Sequence, residues 1–186
     1  MALFGSLPIT SAQLAARLVS TVSLKNMDER LSRVWTNAVK SALREMGREC
    51  GFEVFPSSVP QHGEFLLDLV WFSETGGFEL AAECEWQHLP EVLTDFKKLV
   101  YVKAPLKVMI YWLQSPTKND ENFRREMIRY LEQYCRHVAG EEYLFIGFGK
   151  GGDNRCYSYL VPKDGRNESI VLSPIPLTKV AAAGLG

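Results

Sequence analysis

Two apolar, strand-forming segments separated by a short glycine turn constrain the fold of this chain more than any other feature. They lie within Glu64–Gln87, which reads EFLLDLVWFSETGGFELAAECEWQ. β-Branched, aromatic and large apolar residues fill both arms, and the Glu-Thr-Gly-Gly between them supplies the residues of a tight turn. The sequence therefore predicts an antiparallel β-hairpin near the middle of the chain.

Centring this turn on its Thr-Gly step fixes which residues of the two arms lie opposite each other. In that register Asp68 faces Glu83. Glu85 faces Leu66, and all three carboxylates share one face of the sheet. The opposite face is wholly apolar, with the cross-strand pairs Phe65–Trp86, Leu67–Cys84, Leu69–Ala82 and Trp71–Leu80. A shift of one residue would mix polar and apolar side chains on both faces, so the pattern favours this register.

The face that carries the three acids also carries Leu66, Val70 and Ala81, so we expect the carboxylates to be partly buried. Like charges in such a setting repel each other unless they are protonated or bound to a cation. Carboxylate oxygens are ligands that Mg2+ prefers. We therefore predict a Mg2+ (or Mn2+) site at Asp68 and Glu83, and at least one carboxyl pKa above its ordinary value.

Composition narrows the class of protein. A chain of 186 residues that is 46% hydrophobic and 23% charged suits one globular domain with a substantial core. Its net charge of −1 gives no general affinity for nucleic acid, so such contact would need a local basic patch or a partner subunit. Four widely spaced cysteines without a CxxC pair favour a reduced, cytoplasmic protein. We identify neither a signal peptide nor a membrane span.

Helical periodicity and capping residues predict four helices: from Thr10 or Ser11 to Ser20, from Asn26 to about Arg48, Leu89–Val102 and Asp120–Val138. The long second helix has an apolar stripe of Leu31, Val34, Trp35, Ala38, Ala42 and Met46. Beside the hairpin, strands are expected at Phe52–Phe55, Leu106–Leu113, Tyr143–Phe148, Cys156–Val161 and Ile170–Leu172. The predicted fold is α/β, with a mixed central sheet flanked by helices.

The element order divides this single domain into four parts. An N-terminal helical arm spans residues 1–25, and an α-β-β-β-α-β core spans residues 26–113. A C-terminal α-β-β extension occupies residues 114–178, and residues 179–186 are expected to be a disordered tail.

This order, with Asp68 on the second strand and Glu-x-Glu on the third, resembles the PD-(D/E)XK, or restriction-endonuclease-like, nuclease superfamily. The resemblance covers roughly Asn26–Leu113. In the family pattern an aspartate and a following (D/E)-x-K bind divalent metal and place the lysine beside the attacking water. Asp68 matches the aspartate and Glu83 the acid, while Glu85 stands where the lysine is expected. Some restriction enzymes of this superfamily carry glutamate there, and others recruit a lysine from a neighbouring element.

The resemblance implies metal-dependent hydrolysis of phosphodiester bonds in nucleic acid, with DNA as the first expectation. Glu85 would be a metal ligand or a general base, and Lys98 or Lys97 on the following helix would be the migrated lysine. The predicted site comprises Asp68, Glu83, Glu85 and Lys98, with Asp68 and Glu83 as metal ligands and Glu45, Gln87 and Lys97 as additional candidates. Cutting both strands of a duplex suggests a homodimer or a partner protein.

Structural interpretations of the same residues stay open. The acids could form a solvated sheet face, and the fold could be retained without catalysis, as a subunit that binds protein or nucleic acid. Lys97 and Lys98 could pair with Glu91, Thr94 or Asp95 on a surface helix.

Overall fold

A computed structural model describes residues 7–23, 32–57, 66–113, 118–149, 152–162 and 170–177. The helices within these ranges are α1 (Ser11–Ser23), α2 (Ser32–Glu49), α3 (Leu89–Tyr101) and α4 (Lys118–Gln133). The strands are β1 (Glu53–Phe55), β2 (Leu69–Ser73), β3 (Gly77–Glu85), β4 (Leu106–Leu113), β5 (Glu142–Gly149), β6 (Arg155–Leu160) and β7 (Ser173–Pro174). No helix in these ranges is long and apolar enough to cross a membrane.

The strands form one mixed sheet in which spatial order follows chain order, from β1 to β7. Neighbours are antiparallel from β1 to β3, parallel from β3 to β5 and antiparallel again from β5 to β7. Helices α3 and α4 are the crossovers that parallel neighbours require. The predicted α/β class, the mixed sheet flanked by helices and the order from α2 to β4 are confirmed.

The hairpin of β2 and β3 has the predicted register from Leu69 to Trp71. Leu69 lies opposite Ala82, and Trp71 lies opposite Leu80. A bulge directly after Trp71 shifts the last pairs before the turn by one residue. An extra residue at a bulge sharpens the local twist, which suits the tight end of a hairpin.

The open end of the hairpin, away from the turn, differs from the prediction. The alternating pattern places Leu66 opposite Glu85, but Leu66 lies in a turn with φ of 64° and is 88% exposed. Leu67 packs on the side of α3 and α4, with Val70, instead of on the side of Trp71. Regular alternation therefore begins only at Leu69, because the left-handed backbone at Leu66 interrupts the strand. The predicted pair involving Phe65 falls outside the described residues.

Two apolar layers cover the sheet. On one face, α1 and α2 pack against the strands through residues that include Leu43 and Trp71. On the other face, α3 and α4 do so through Phe96 and Met127. The buried side of α2 consists of Ala38, Val39, Ala42, Leu43 and Met46. The predicted stripe is wrong at Val34, which is exposed; Leu31 and Asn26 lie outside the described residues.

Several boundaries move relative to the sequence prediction. Helix α1 continues to Ser23, and its start is capped by Thr10, whose Oγ1 accepts the Gln13 N–H at 3.2 Å. Helix α4 ends at Gln133 instead of Val138. The last edge strand is β7, while Ile170 and Leu172 are buried core residues that precede it.

Candidate active site

Asp68, predicted to lie on the second strand opposite Glu83, lies instead directly before β2, which begins at Leu69, and is held there by contacts from two elements. Its Oδ2 accepts the backbone N–H of Cys84 in β3 at 2.9 Å. Its Oδ1 lies 2.6 Å from Nζ of Lys40, a residue of α2 whose side chain is only 6% exposed. One carboxylate oxygen therefore aligns Asp68 with β3, and the other is neutralised by a buried ammonium group.

Glu83 lies in β3 and is the most buried acid of the site. Its side chain is 2% exposed, and its Oε1 lies 3.2 Å from Nζ of Lys98 in α3. The contact with Lys98 is an ion pair, and Oε1 makes no regular hydrogen bond in its buried position. Lys98 is also bonded to Asp95, one turn earlier in α3, at 2.7 Å. Helix α3 thus brings one acid and one ammonium group to the carboxyl half of β3.

Burial controls the charge of Glu83. Burial first, and the charge of Asp68 second, raise the pKa of Glu83 to about 8, although Lys98 opposes the shift. A carboxyl group with that pKa is mostly protonated at neutral pH in the metal-free protein. The elevated pKa agrees with the expectation from the sequence that these acids raise one another's proton affinity.

Glu85 stands at the end of β3, in the position that the family pattern gives to lysine. Its Oε1 accepts the backbone N–H groups of Trp86 at 2.7 Å and Gln87 at 2.8 Å. Burial is the main cause that raises the pKa of Glu85, and these two hydrogen bonds oppose it. One oxygen of Glu85 therefore shapes the chain as it leaves the strand, which limits this carboxylate as a metal ligand.

The remaining sequence candidates lie in different places. Lys98 contacts Glu83, whereas Nζ of Lys97 lies 4.8 Å from the centre of the Tyr130 ring. Glu45 is exposed on α2, on the side of Arg17, whose guanidinium pKa it helps to raise. The structure thus separates Lys97 and Glu45 from the acids of the hairpin.

Two residues of the cluster were missed by sequence reasoning as site residues. Asp95 binds Lys98, and Lys40 binds Asp68. The sequence carried a signal for Asp95, because a residue three positions before Lys98 on a helix lies on the same face. For Lys40 the signal was weaker: it directly follows the buried Val39 on α2, where a lysine is unusual without a partner.

The donor set suits a cation held by two carboxylates rather than by three. Among the described residues, no three Asp, Glu, His or Cys side chains are arranged to hold a metal ion. The buried Oε1 of Glu83, which has Lys98 as its counter-ion but makes no hydrogen bond, is nevertheless an oxygen that a cation could bind, and the charge of Asp68 acts on it. Mg2+ commonly takes one or two protein carboxylates and completes its coordination with water and phosphate oxygens. Asp68 and Glu83 therefore fit such an ion.

The acids occupy a favourable location in an α/β sheet. Glu83 and Glu85 belong to the carboxyl half of β3, which is parallel to β4, and ligands of such sheets bind outside the carboxyl ends of the strands. No protein-family model, curated protein or solved structure matches this chain. The functional conclusion therefore depends on the arrangement of these side chains.

Proposed function

We propose that this protein is a metal-dependent nuclease with a restriction-endonuclease-like core, hydrolysing phosphodiester bonds of nucleic acid, with DNA as the preferred substrate. One observation carries the proposal. Asp68 directly before β2, Glu83 in β3 and Lys98 in α3 converge in an α-β-β-β-α-β order, with Nζ of Lys98 3.2 Å from Glu83. Two acids from neighbouring segments of the chain beside an ammonium group are the donor set of a metal-assisted hydrolase.

Each of these residues has a distinct role in the proposed reaction. Asp68 and Glu83 would hold Mg2+ or Mn2+, which supplies a water of lowered pKa and offsets phosphate charge. The backbone N–H of Cys84 keeps the Asp68 carboxylate aligned with β3. Because the pKa of Glu83 is raised, its carboxyl group would release a proton when a cation binds to it.

Lys98 takes the role that the family pattern assigns to the lysine after the second acid. Its ammonium group lies next to Glu83 and is 41% exposed, so a phosphate from solvent can reach it. Asp95 holds the side chain in position at 2.7 Å. A positive charge fixed there would stabilise negative charge that develops on the phosphate oxygens.

A second candidate is a non-catalytic module of the same fold that binds protein or nucleic acid. Lys40 lies 2.6 Å from Asp68, and Lys98 lies 3.2 Å from Glu83. Each of the two carboxylates therefore has an ammonium counter-ion within the protein. Such pairs neutralise buried acids without any metal, which is what a nuclease fold that has lost catalysis would retain.

A cleavage assay separates these two functions. We expect the purified protein to cut single-stranded DNA, duplex DNA or RNA in Mg2+ or Mn2+. Asp68→Ala and Glu83→Ala should abolish cleavage, because each removes a metal ligand. Lys98→Ala should slow cleavage by about 100-fold, since it removes one electrostatic stabiliser. Lys103→Ala, at an exposed position just after α3 and outside both the site and the groove between α3 and α4, is the control and should cleave like the wild type.

Circular dichroism and thermal unfolding of each variant establish that a loss of cleavage is not a loss of fold. Absence of cleavage by the folded wild type with either metal on all three substrates would contradict the nuclease. If the same protein still bound nucleic acid or a partner protein, the non-catalytic module would be the better account.

A further inference from the structure

A pocket of about 270 Å³ lies beside the candidate active site, at the carboxyl ends of β3 and β4. Its walls come from the chain after β3, the end of β4 and the first turns of α3 and α4, and they include Gln87, His88, Trp112, Asn122 and Phe123. The proposed hydrolysis makes no use of this pocket. It nevertheless borders the site, because the N–H of its lining residue Gln87 donates to Oε1 of Glu85 at 2.8 Å.

The chemistry of the wall favours a neutral ring over an ion. Of the described residues that line the pocket, none is Asp, Glu, Lys or Arg. A charged phosphate would find no counter-ion there. Apolar and aromatic side chains dominate, and the amides of Gln87 and Asn122 add a few hydrogen-bonding groups. Sites of this composition bind flat, mostly apolar ligands whose orientation the polar groups fix.

The size and the two amides identify the ring more closely. Pockets for drug-sized ligands span about 300–1,000 Å³, so a volume of about 270 Å³ suits a single small ring system. Trp112 and Phe123 are among the lining residues, and aromatic rings offer a surface on which a base can stack. Side-chain amides form paired hydrogen bonds with base edges, and Arg125 orients the Asn122 amide by donating to its Oδ1 at 3.0 Å.

We propose that this pocket binds one unpaired nucleobase of the DNA strand whose phosphate would be held by the cation at Asp68 and Glu83, an assignment that rests on the proposed nuclease function. A base within a duplex is stacked and paired, so it enters a concave pocket only after leaving the helix. The substrate class is therefore single-stranded or locally unpaired DNA.

A neighbouring groove gives the strand a path away from the pocket. This groove lies between α3 and α4, has a volume of about 440 Å³ and shares Asn122 with the pocket. It adds Lys97, Arg125 and Glu126, and Glu126 is paired with Arg129 at 2.8 Å. Basic side chains next to an uncharged pocket match the alternation of phosphate and base along a single strand.

The test measures binding in Ca2+, which carboxylate oxygens also bind, and cleavage of the same strand is followed in parallel. Fluorescence anisotropy would compare a short labelled single-stranded DNA with the same strand containing abasic sites, and with its duplex. We expect the abasic strand and the duplex to bind about 10-fold more weakly than the intact strand, since a stacked base is worth on the order of 1 kcal/mol or more.

Variants locate the effect in the pocket. Gln87→Ala and Asn122→Ala change exposed side chains and should weaken binding of the intact strand several-fold, with no effect on the abasic strand. Glu121→Ala, at an exposed position next to Asn122 but outside the pocket, is the matched control. Trp112→Phe, which keeps an aromatic ring, should weaken binding of the intact strand less than the two alanine variants do.

Three outcomes would overturn the base pocket: no binding of single-stranded DNA, equal binding of intact and abasic strands, or wild-type binding by both alanine variants. The nuclease proposal and the base-pocket proposal can fail independently of each other. Base-dependent binding without cleavage in Mg2+ or Mn2+ would contradict the nuclease and support the pocket. Cleavage without any dependence on a base would support the nuclease and contradict the pocket.

Discussion

Glu83 is the residue on which the electrostatics of the site depend most. Its carboxyl group is buried, and its Oε1 has no hydrogen-bond partner. An ionised carboxylate in this position would be costly, and the single ammonium group of Lys98 does not compensate fully. Glu83 is therefore mostly protonated at neutral pH in the metal-free protein, and under the proposed function a cation would replace that proton.

The raised pKa of Glu83 predicts how stability varies with pH in the metal-free protein. The folded pKa is about 8, above the ordinary value of 4.5, so the folded state binds more protons between these values. The free energy of unfolding of the wild type should thus fall as pH rises from about 5 to 8, by roughly 1 kcal/mol per pH unit relative to Glu83→Gln. Urea unfolding in EDTA at several pH values measures the free energy of unfolding of the wild type and of Glu83→Gln.

Glu74→Gln is the control for that series, because Glu74 lies exposed in the hairpin turn. Its stability curve should parallel that of the wild type. Parallel curves for the wild type and Glu83→Gln would show instead that Glu83 is ionised throughout, and that Lys98 outweighs its burial.

At the level of single residues, the sequence predicted the acids better than their partners. Glu83 lies in β3 as strand periodicity and turn chemistry predicted, whereas Asp68 lies directly before β2 and not on the strand. Lys40 and Asp95 reach them from helices, and those contacts depend on how each helix packs across the sheet. Leu66 shows a further limit, because a left-handed residue ends strand alternation without any glycine to mark it.

Helix α2 carries Lys40 to Asp68 because it packs very closely on β1 and β2. Gly47 makes this approach possible: a Cβ atom there would lie 2.6 Å from Nε1 of Trp71 and 2.7 Å from Cγ2 of Val54. The same indole nitrogen donates to the backbone oxygen of Leu43 at 3.0 Å. The helix is thus fixed to the sheet one to two turns beyond Lys40.

Gly47→Ala should therefore destabilise the protein, although alanine is the better helix former. The clash with Trp71 and Val54 requires the helix to move, at a cost of about 1–3 kcal/mol. Urea unfolding measures this loss. Glu45→Ala, an exposed change on the same helix, should alter the free energy of unfolding by less than about 0.5 kcal/mol. A Gly47→Ala variant as stable as the wild type would show that α2 is free to shift.

Helices and strands were predicted where their apolar pattern is regular. The run Leu106–Leu113 matches β4 from end to end, because a strand buried on both faces is almost wholly apolar. The predicted boundaries were wrong where tertiary contacts determine where an element ends. The bulge after Trp71 and the early end of α4 at Gln133 leave no distinct mark in hydrophobic periodicity.

Among the described residues, polar groups lie at both ends of the parallel strands. The acids lie towards the carboxyl end of β3, and a buried ion pair lies near the start of β4 and β5. In that pair Lys107 Nζ is 2.9 Å from Glu141 and 3.0 Å from the Tyr143 hydroxyl, to which it donates. Burial lowers the pKa of Lys107. With both partners inside the protein, this pair serves to join β4 to the chain that enters β5.

Breaking this pair should cost more than any surface change. Lys107→Met leaves Glu141 buried without its counter-ion and should destabilise the protein by about 3–5 kcal/mol. The double variant Lys107→Met with Glu141→Leu should recover part of that loss. Arg129→Ala, which breaks the exposed pair with Glu126, is the control and should cost no more than about 1 kcal/mol. Urea unfolding compares the four proteins, and equal losses for both single variants would contradict a stabilising role for the buried pair.

The architecture of the whole chain was predictable because its elements alternate in a simple order. Three strands after a helix, followed by helix crossovers, lead to a mixed sheet with parallel strands at its centre. The roles of the residues at the site were less accessible, since the same acids serve either a metal or an internal lysine. That choice is the central question about this protein.

A crystal structure of the wild type soaked in Mn2+ answers it most directly, because manganese is located by its anomalous scattering. We predict one manganese peak between Asp68 and Glu83, about 2.1 Å from a carboxylate oxygen of each, with Lys98 Nζ moved away from Glu83. No peak should form in the Asp68→Asn variant. A wild-type structure without manganese at this position, in which Lys40 still binds Asp68 and Lys98 still contacts Glu83, would contradict a metal-dependent nuclease.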